Sequence, residues 1–160
     1  MRLERVISGG QTGADRGGLA AAKAAGFQTG GWMPKGFRAH DGLCPEMAAF
    51  YGMQEHDSPR YPPRTALNVK ESDATLRFAT DWESPGEALT LKLLERYGRP
   101  HFAVTPGGTE TPADVVAWLA HHAPRVLNVA GNSERTSPGI HAFVAVFLAE
   151  VFARLAVQCG

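Results

Sequence analysis

A glycine-rich turn near the start of the chain holds the first residues that could do chemistry. Val6-Ile7-Ser8 is a short apolar run, and a helical pattern follows the turn. Free N–H groups and the dipole at a helix start attract anions, phosphate above all. The turn lacks the spacing of a P-loop or of a dinucleotide fingerprint. The residues predicted to contact a phosphorylated ligand here are Gly9, Gly10, Gln11, Thr12, Gly13 and Asp15.

This turn also has structural interpretations, which the sequence leaves open. Glycines before a helix serve packing as well as ligand binding, Thr12 could cap the helix, and Asp15 could complement the helix dipole. A second turn contains Trp32 and Lys35. We predict that Lys35 meets an anion and that Trp32 stacks on a ring system, the alternatives being a solvated lysine and a core tryptophan.

Further polar residues flank the later strands. They mark a turn before the third strand, a second helix start, and the loop after the last strand; most such residues act as turn formers or caps. In open parallel sheets, ligands bind outside the carboxyl ends of the strands, and loops at one edge would form a joint site. The additional predicted ligand-binding residues are Ser72, Asp73, Ser84, Gly86, Thr90, Asn128 and Gly131.

Alternating strands and helices must position these loops. This alternation predicts an α/β fold, a Rossmann-like three-layer sandwich around a mainly parallel sheet of about five strands. The stretch 34–61 is rich in Pro, Gly and charge, and we predict a long excursion with little regular structure. The predicted strands cover 6–8, 27–32, 74–79, 101–104 and 125–129, and the predicted helices cover 14–25, 62–71, 85–97, 111–122 and 138–155.

Composition narrows the functional class. The 160 residues fit a single ligand-binding domain, 1–160, and the 16 basic and 16 acidic residues cancel. This balance argues against nucleic-acid or membrane-surface binding, and no apolar run approaches the ~18 residues of a membrane span. The two cysteines are far apart, and His40 and His56 show no ligand spacing, so we predict no disulfide framework and no metal site. A cytoplasmic location is expected.

The last helix carries more apolar residues than one amphipathic stripe requires, from Ile140 to Leu155. Either the helix is deep in the core, or a second face packs against another subunit. We predict a homo-oligomer, a dimer or a tetramer.

Four ordered segments resemble the motifs of the molybdenum cofactor carrier family, a branch of the LOG-like, lysine-decarboxylase-like Rossmann superfamily. The resemblance covers about residues 5–155. The chain departs from the family pattern at Ala74, which replaces a usual glycine, and at Glu87, which puts a carboxylate near a predicted phosphate loop. The segments are Gly9–Asp15, Gly31–Gly36, Asn68–Thr75 and Leu127–Gly131.

The resemblance implies a binding or carrier protein rather than an enzyme, with the molybdenum cofactor (molybdopterin) as cargo. Two alternatives stay open: a LOG-like nucleoside monophosphate phosphoribohydrolase and a nucleotide-sensing protein. The catalytic glutamate of the LOG motif aligns with Leu93, so Glu87 or Glu95 would have to replace it. No catalytic residue is therefore assigned.

Overall fold

A computed structural model describes residues 2–158. Six strands form one parallel sheet, and a separate two-stranded hairpin pairs Arg38 with Leu43. In chain order the strands are β1 Arg5–Ser8, β2 Gln28–Met33, β3 Arg38–Ala39, β4 Gly42–Leu43, β5 Met53–Glu55, β6 Ala74–Phe78, β7 His101–Val104 and β8 Val126–Gly131.

Helices cover the sheet and complete the Rossmann-like three-layer sandwich that the alternation predicted. Their ends follow local chemistry; α5, for example, begins with a capping box in which Thr111 and Asp114 exchange hydrogen bonds. The helices are α1 Ala14–Ala24, α2 Glu46–Tyr51, α3 Tyr61–Lys70, α4 Pro85–Tyr97, α5 Pro112–His122 and α6 Ile140–Gln158.

The strand order is β5-β2-β1-β8-β6-β7, so the last strand of the chain lies in the middle of the sheet. Val6 of β1 and Ala74 of β6 both align with Leu127 of β8. Because every pairing in this sheet is parallel, the carboxyl ends of β1, β8 and β6 meet at one edge.

The segment 34–61 is more regular than the sequence predicted. It contains a short 3-10 helix at Lys35–Phe37, the hairpin, α2, and the edge strand β5. Met53 of β5 is buried beneath this segment and pairs with Gly31. The sheet therefore has six strands, whereas the sequence predicted about five. The additional strand, β5, is too short for its alternation of buried and exposed residues to be visible in the sequence.

The largest core cluster lies between the sheet and helices α1, α5 and α6, and contains Leu76, Phe78, Leu127 and Val129. Helix α6 contributes seven buried residues. By length and a mean hydropathy of 2.0 this helix would pass as a membrane span, contrary to the sequence expectation that no segment comes close. Its buried residues show instead that it is a core helix of the domain.

Candidate functional site

A cavity of about 420 Å³ opens at the carboxyl ends of β1, β6 and β8. This volume lies within the range of small-molecule sites. The walls come from the turn after β1, the inner face of α3, the start of α4, and the loop after β8. The predicted ligand-binding residues that line the cavity are Gly9, Gln11, Asp15, Ser84, Gly86, Thr90, Asn128 and Gly131.

Helix α3 turns a polar face toward this cavity. Tyr61, Arg64, Thr65 and Asn68 occupy positions i, i+3, i+4 and i+7, which share one side of a helix, and all four line the cavity. Asn68 fixes the helix to the sheet, because its side chain accepts from the Trp32 amide at 2.9 Å and donates to the Trp32 carbonyl at 3.1 Å. Sequence analysis missed this face, although its spacing was visible.

Arg64 lies against the turn after β1 because Gly9 has no side chain. A Cβ atom at Gly9 would overlap Nη1 of Arg64 and come within 2.8 Å of Oδ2 of Asp15. Nη1 donates to Oγ1 of Thr65 at 3.0 Å, whereas the buried Nε has no partner among the described residues. A buried guanidinium nitrogen without a partner is a ready donor to an anion.

The backbone amides of the β1–α1 turn do not form the open cradle that the sequence predicted. The Gly10 amide donates to Oγ of Ser8 at 3.1 Å, the Gln11 amide to Oδ2 of Asp15 at 3.1 Å, and the Thr12 amide to Oε1 of Gln11 at 3.0 Å. Side chains of the turn therefore use the donors that a phosphate would need. The cavity beside them remains, and its cation is Arg64.

Asp15 thus occupies the place that was expected for the ligand anion. Its side chain is buried, and burial raises its pKa to about 6, although the charge of Arg64 and the Gln11 amide pull the other way. Asp15 is the acidic residue in the first turn of α1, as the helix-dipole alternative expected, and its carboxylate also accepts from the Gln11 amide. Gln11 also stabilises the turn, because its Oε1 accepts from the amide of His40 at 2.9 Å as well as from that of Thr12.

The opposite wall contains a buried ion pair. Nη2 of Arg77 lies 3.2 Å from Oε2 of Glu87, and both side chains are almost fully buried. Burial raises the pKa of Glu87 to about 7, while Arg77 opposes the shift and Asp15 adds to it. The carboxylate that the sequence placed near a phosphate loop is therefore compensated by Arg77.

Asn132 joins the loops that surround the cavity. Its Oδ1 accepts from the amides of Thr80 and Asp81 at 2.9 and 3.0 Å, and its Nδ2 donates to the Asp81 carbonyl at 3.0 Å. Its own carbonyl accepts from the Ala14 amide. One buried residue thus links the ends of β6 and β8 through its side chain and the start of α1 through its backbone carbonyl.

Asn128 and the start of α4 complete the lining. Nδ2 of Asn128 donates to Oγ1 of Thr75 at 3.2 Å, and its buried Oδ1 has no partner among the described residues. Oγ of Ser84 caps α4 by accepting from the Glu87 amide, and Oγ1 of Thr90 donates to the Gly86 carbonyl. Asn128 therefore combines a place in the cavity lining with an unsatisfied buried acceptor.

Four predicted site residues lie away from the cavity. Trp32 points outward and donates from Nε1 to Oε2 of Glu71 at 2.7 Å, and Lys35 is exposed. Ser72 and Asp73 precede β6, so they lie at the opposite edge of the sheet; Oγ of Ser72 donates to a carbonyl in α3, and Oδ2 of Asp73 accepts from two amides at the start of β8. These four residues were predicted to meet the others at one site, and that prediction is wrong because they lie outside the cavity lining.

Three residues of the first turn also miss the cavity lining. A side chain at Gly10 would meet Sδ of Met33 at 2.6 Å in the core, and one at Gly13 would meet the backbone after β8. Both glycines have positive φ angles, which side chains rarely adopt. Oγ1 of Thr12 makes no capping bond and is buried without a partner among residues 2–158. These glycines shape the turn rather than contact the cavity.

Comparison with known proteins identifies the family of this chain. The model of the circularly permutated YpsA SLOG family matches residues 6–152. The chain belongs to this family. The resemblance found in the four sequence motifs is thereby confirmed at the level of the SLOG and LOG-like proteins.

A solved structure of a similar protein agrees with the fold. It is described as a "Putative molybdenum carrier protein" from Syntrophus aciditrophicus SB. The two chains are 36% identical, the match covers 94% of each, and the TM-score is 0.84. None of the curated proteins compared with this chain matches it. Among the described residues, no three His, Cys, Asp or Glu side chains group as a metal site.

Proposed function

We propose that this protein binds and carries a small phosphorylated ligand in the cavity, a pterin- or nucleotide-like molecule, with the molybdenum cofactor as its cargo. One observation supports this most directly: a ligand-sized cavity whose inner wall presents Arg64 with a buried, unpartnered Nε. The description of the relative as a molybdenum carrier supports the choice of cargo.

In this proposal the phosphate of the ligand lies at Arg64, beside Gly9. The ring system lies toward Val69, Leu89 and Ala130, which give the cavity apolar walls. Asn128 offers a buried acceptor to a ring N–H. The other predicted site residues that line the cavity also contact the ligand in this proposal.

Asp15 gives binding at Arg64 a distinctive signature. An anion placed beside Arg64 lies close to the Asp15 carboxylate, which already has a pKa of about 6. Because a second negative charge raises that pKa further, we expect binding near neutral pH to be accompanied by proton uptake. A bound cation would have the opposite effect.

Titration calorimetry of the full chain with molybdopterin and with AMP tests the proposal. We expect saturable binding at one site per chain, and a loss of about tenfold or more in affinity for Arg64→Gln. Chromatography of the recovered ligand should show it unchanged, as a carrier requires. Failure of both ligands to bind, or equal affinity of the variant, would refute the assignment of this cavity.

A second candidate is hydrolysis of a nucleoside monophosphate, and Glu87 favours it. Of the two glutamates that could replace the missing LOG residue, Glu87 lines the cavity, whereas Glu95 is exposed and absent from its lining. A buried carboxyl with a pKa near 7 is suited to donate a proton to a departing base. Leu93, at the aligned position, is buried in an apolar cluster.

Release of free adenine from AMP distinguishes the two functions. If the protein is a hydrolase, base appears over time and Glu87→Gln abolishes its release while AMP still binds. If it is a carrier, no base appears with either protein. Arg77 stays buried beside position 87 in the Glu87→Gln variant. A melting curve of this variant therefore shows whether the fold survives the substitution.

We also propose a homo-oligomer formed through the outer face of α6. Val146 and Val157 are 73% and 80% exposed, although apolar side chains usually avoid water. Exposed alanines lie between them on the same helix. Analytical ultracentrifugation should show a dimer or tetramer that Val146→Glu dissociates; a wild-type monomer at working concentrations would refute this.

A further inference from the structure

Two arginines at the cavity share one aromatic ring. The guanidinium carbon of Arg38 lies 4.4 Å from the ring centroid of Tyr61, and that of Arg64 lies 5.4 Å from it. Tyr61 and Arg64 line the cavity, while Arg38 is outside the lining and extends the charge toward the mouth. Nε of Arg38 donates to the carbonyl of Pro59, which fixes the guanidinium in place.

A third arginine lies in a loop that borders the cavity. Arg135 is exposed and belongs to the loop after β8, between Ser133 and Thr136, which both line the cavity. His40 lies within reach of all three charges: Arg135, Arg38 and Arg64 each lower the pKa of its imidazole, beyond the effect of burial. The carboxylate that faces His40, Asp41, acts in the opposite direction.

None of these three arginines forms a close ion pair, although the charge of Arg64 acts on the Asp15 carboxyl. Within residues 2–158, neither Arg38, Arg64 nor Arg135 lies within 4.0 Å of an acidic oxygen, whereas five other ion pairs use arginines elsewhere on the chain. Even Asp41 is already held by Arg16. Arg38 and Arg135 therefore add positive charge beside the cavity that no carboxylate within 4.0 Å neutralises among the described residues.

The three arginines divide into one that lines the cavity and two that lie outside its lining. Arg64 donates into the cavity, and Arg38 and Arg135 lie outside its lining. Arginine presents a planar fork that matches phosphate oxygens, and concentrated like charges are stabilised by a compact polyanion. A ligand with two directly linked phosphates would reach both Arg64 in the lining and the two arginines outside it.

We propose that the preferred ligands of this cavity carry a pyrophosphate, with the inner phosphate at Arg64 and the outer phosphate between Arg38 and Arg135. This inference rests on the proposed binding function and specifies its ligand class. His40 lines the cavity, and its buried Nδ1 has no partner among the described residues. The ring of Tyr61 contacts both Arg38 and Arg64.

Calorimetric titration of the full chain with AMP and with ADP tests this ligand class. We expect ADP to bind at least about tenfold more tightly than AMP, since the outer phosphate gains two charge-assisted contacts. In the double variant Arg38→Gln/Arg135→Gln the two affinities should converge. Inorganic pyrophosphate should compete with ADP more strongly than inorganic phosphate does.

Arg96→Gln is the matched control. Arg96 is an exposed arginine of α4 that lies outside the cavity lining, so the variant loses the same charge but should keep the preference for ADP. Arg135→Gln alone keeps the test valid if loss of the Arg38–Pro59 contact disturbs the fold, because no described hydrogen bond involves the Arg135 side chain.

Two results would overturn the inference: equal affinities for AMP and ADP in the natural protein, or an ADP preference that survives in the double variant. If neither nucleotide binds, the pyrophosphate inference fails. The proposed carrier function is then still decided separately by the molybdopterin titration.

Discussion

Replacing Asp15 by asparagine tests the electrostatics of the candidate site without any ligand. Burial raises the pKa of this carboxyl from 3.8 to about 6. A shift of about two units corresponds to about 3 kcal/mol between the folded and unfolded states. Because the folded protein holds the proton more tightly, its stability is highest with Asp15 protonated and falls as the pH rises from about 4 through 6.

The asparagine side chain can still accept from the Gln11 amide but does not ionise. The free energy of unfolding of Asp15→Asn, relative to the natural protein, should therefore increase with pH by about 3 kcal/mol in total, and roughly half of that should appear between pH 5 and 8. Urea unfolding followed by circular dichroism at several pH values measures this difference. Glu87 titrates in both proteins, so its contribution largely cancels.

Asp57→Asn is the matched control, because Asp57 is an exposed carboxylate outside the cavity. Its unfolding free energy should differ from that of the natural protein by a nearly constant amount across the same pH range. A constant difference for Asp15→Asn as well would show that Asp15 does not carry a raised pKa, and the description of the turn as filled by a buried carboxyl would be wrong.

Three further substitutions test separate parts of the site. Gly9→Ala should displace Arg64 and weaken AMP binding about tenfold in calorimetry, with little change in melting temperature; unchanged affinity would contradict the role of Gly9. Asn132→Ala should lower the free energy of unfolding in urea by about 2–4 kcal/mol, because two backbone amides lose a buried acceptor; a change below about 0.5 kcal/mol would argue against that role. Lys35→Ala should leave AMP affinity unchanged, and a tenfold loss would return Lys35 to the site.

Much of the fold could be predicted from sequence because hydrophobic periodicity and breakers mark long elements. Helix α4 was predicted with the bounds that the structure shows, since Pro85 opens it and Gly98 follows its end. Strand β5 was missed because it has three residues, of which only Met53 is buried. Short edge strands depend on pairing with distant residues, which local patterns do not show.

The candidate site was predictable as an edge of the sheet but not in its electrostatics. Asn128 and Gly131 follow from the rule that ligands bind at the carboxyl ends of strands. Ser72 and Asp73 precede their strand, and predicting them as part of the joint site did not follow this rule. Whether the amides of the first turn are free depends on where the Asp15 side chain points, and a sequence motif does not contain that direction.

The central position of β8 has a consequence for synthesis of the protein. When the ribosome has completed β7, the two halves of the sheet still lack the strand that joins them, because β1 and β6 each pair with β8 and not with each other. The emerging polypeptide therefore cannot reach its native topology until nearly all of it has left the exit tunnel. Such late closure of distant contacts slows folding and leaves unpaired strand edges exposed to chaperones in the meantime.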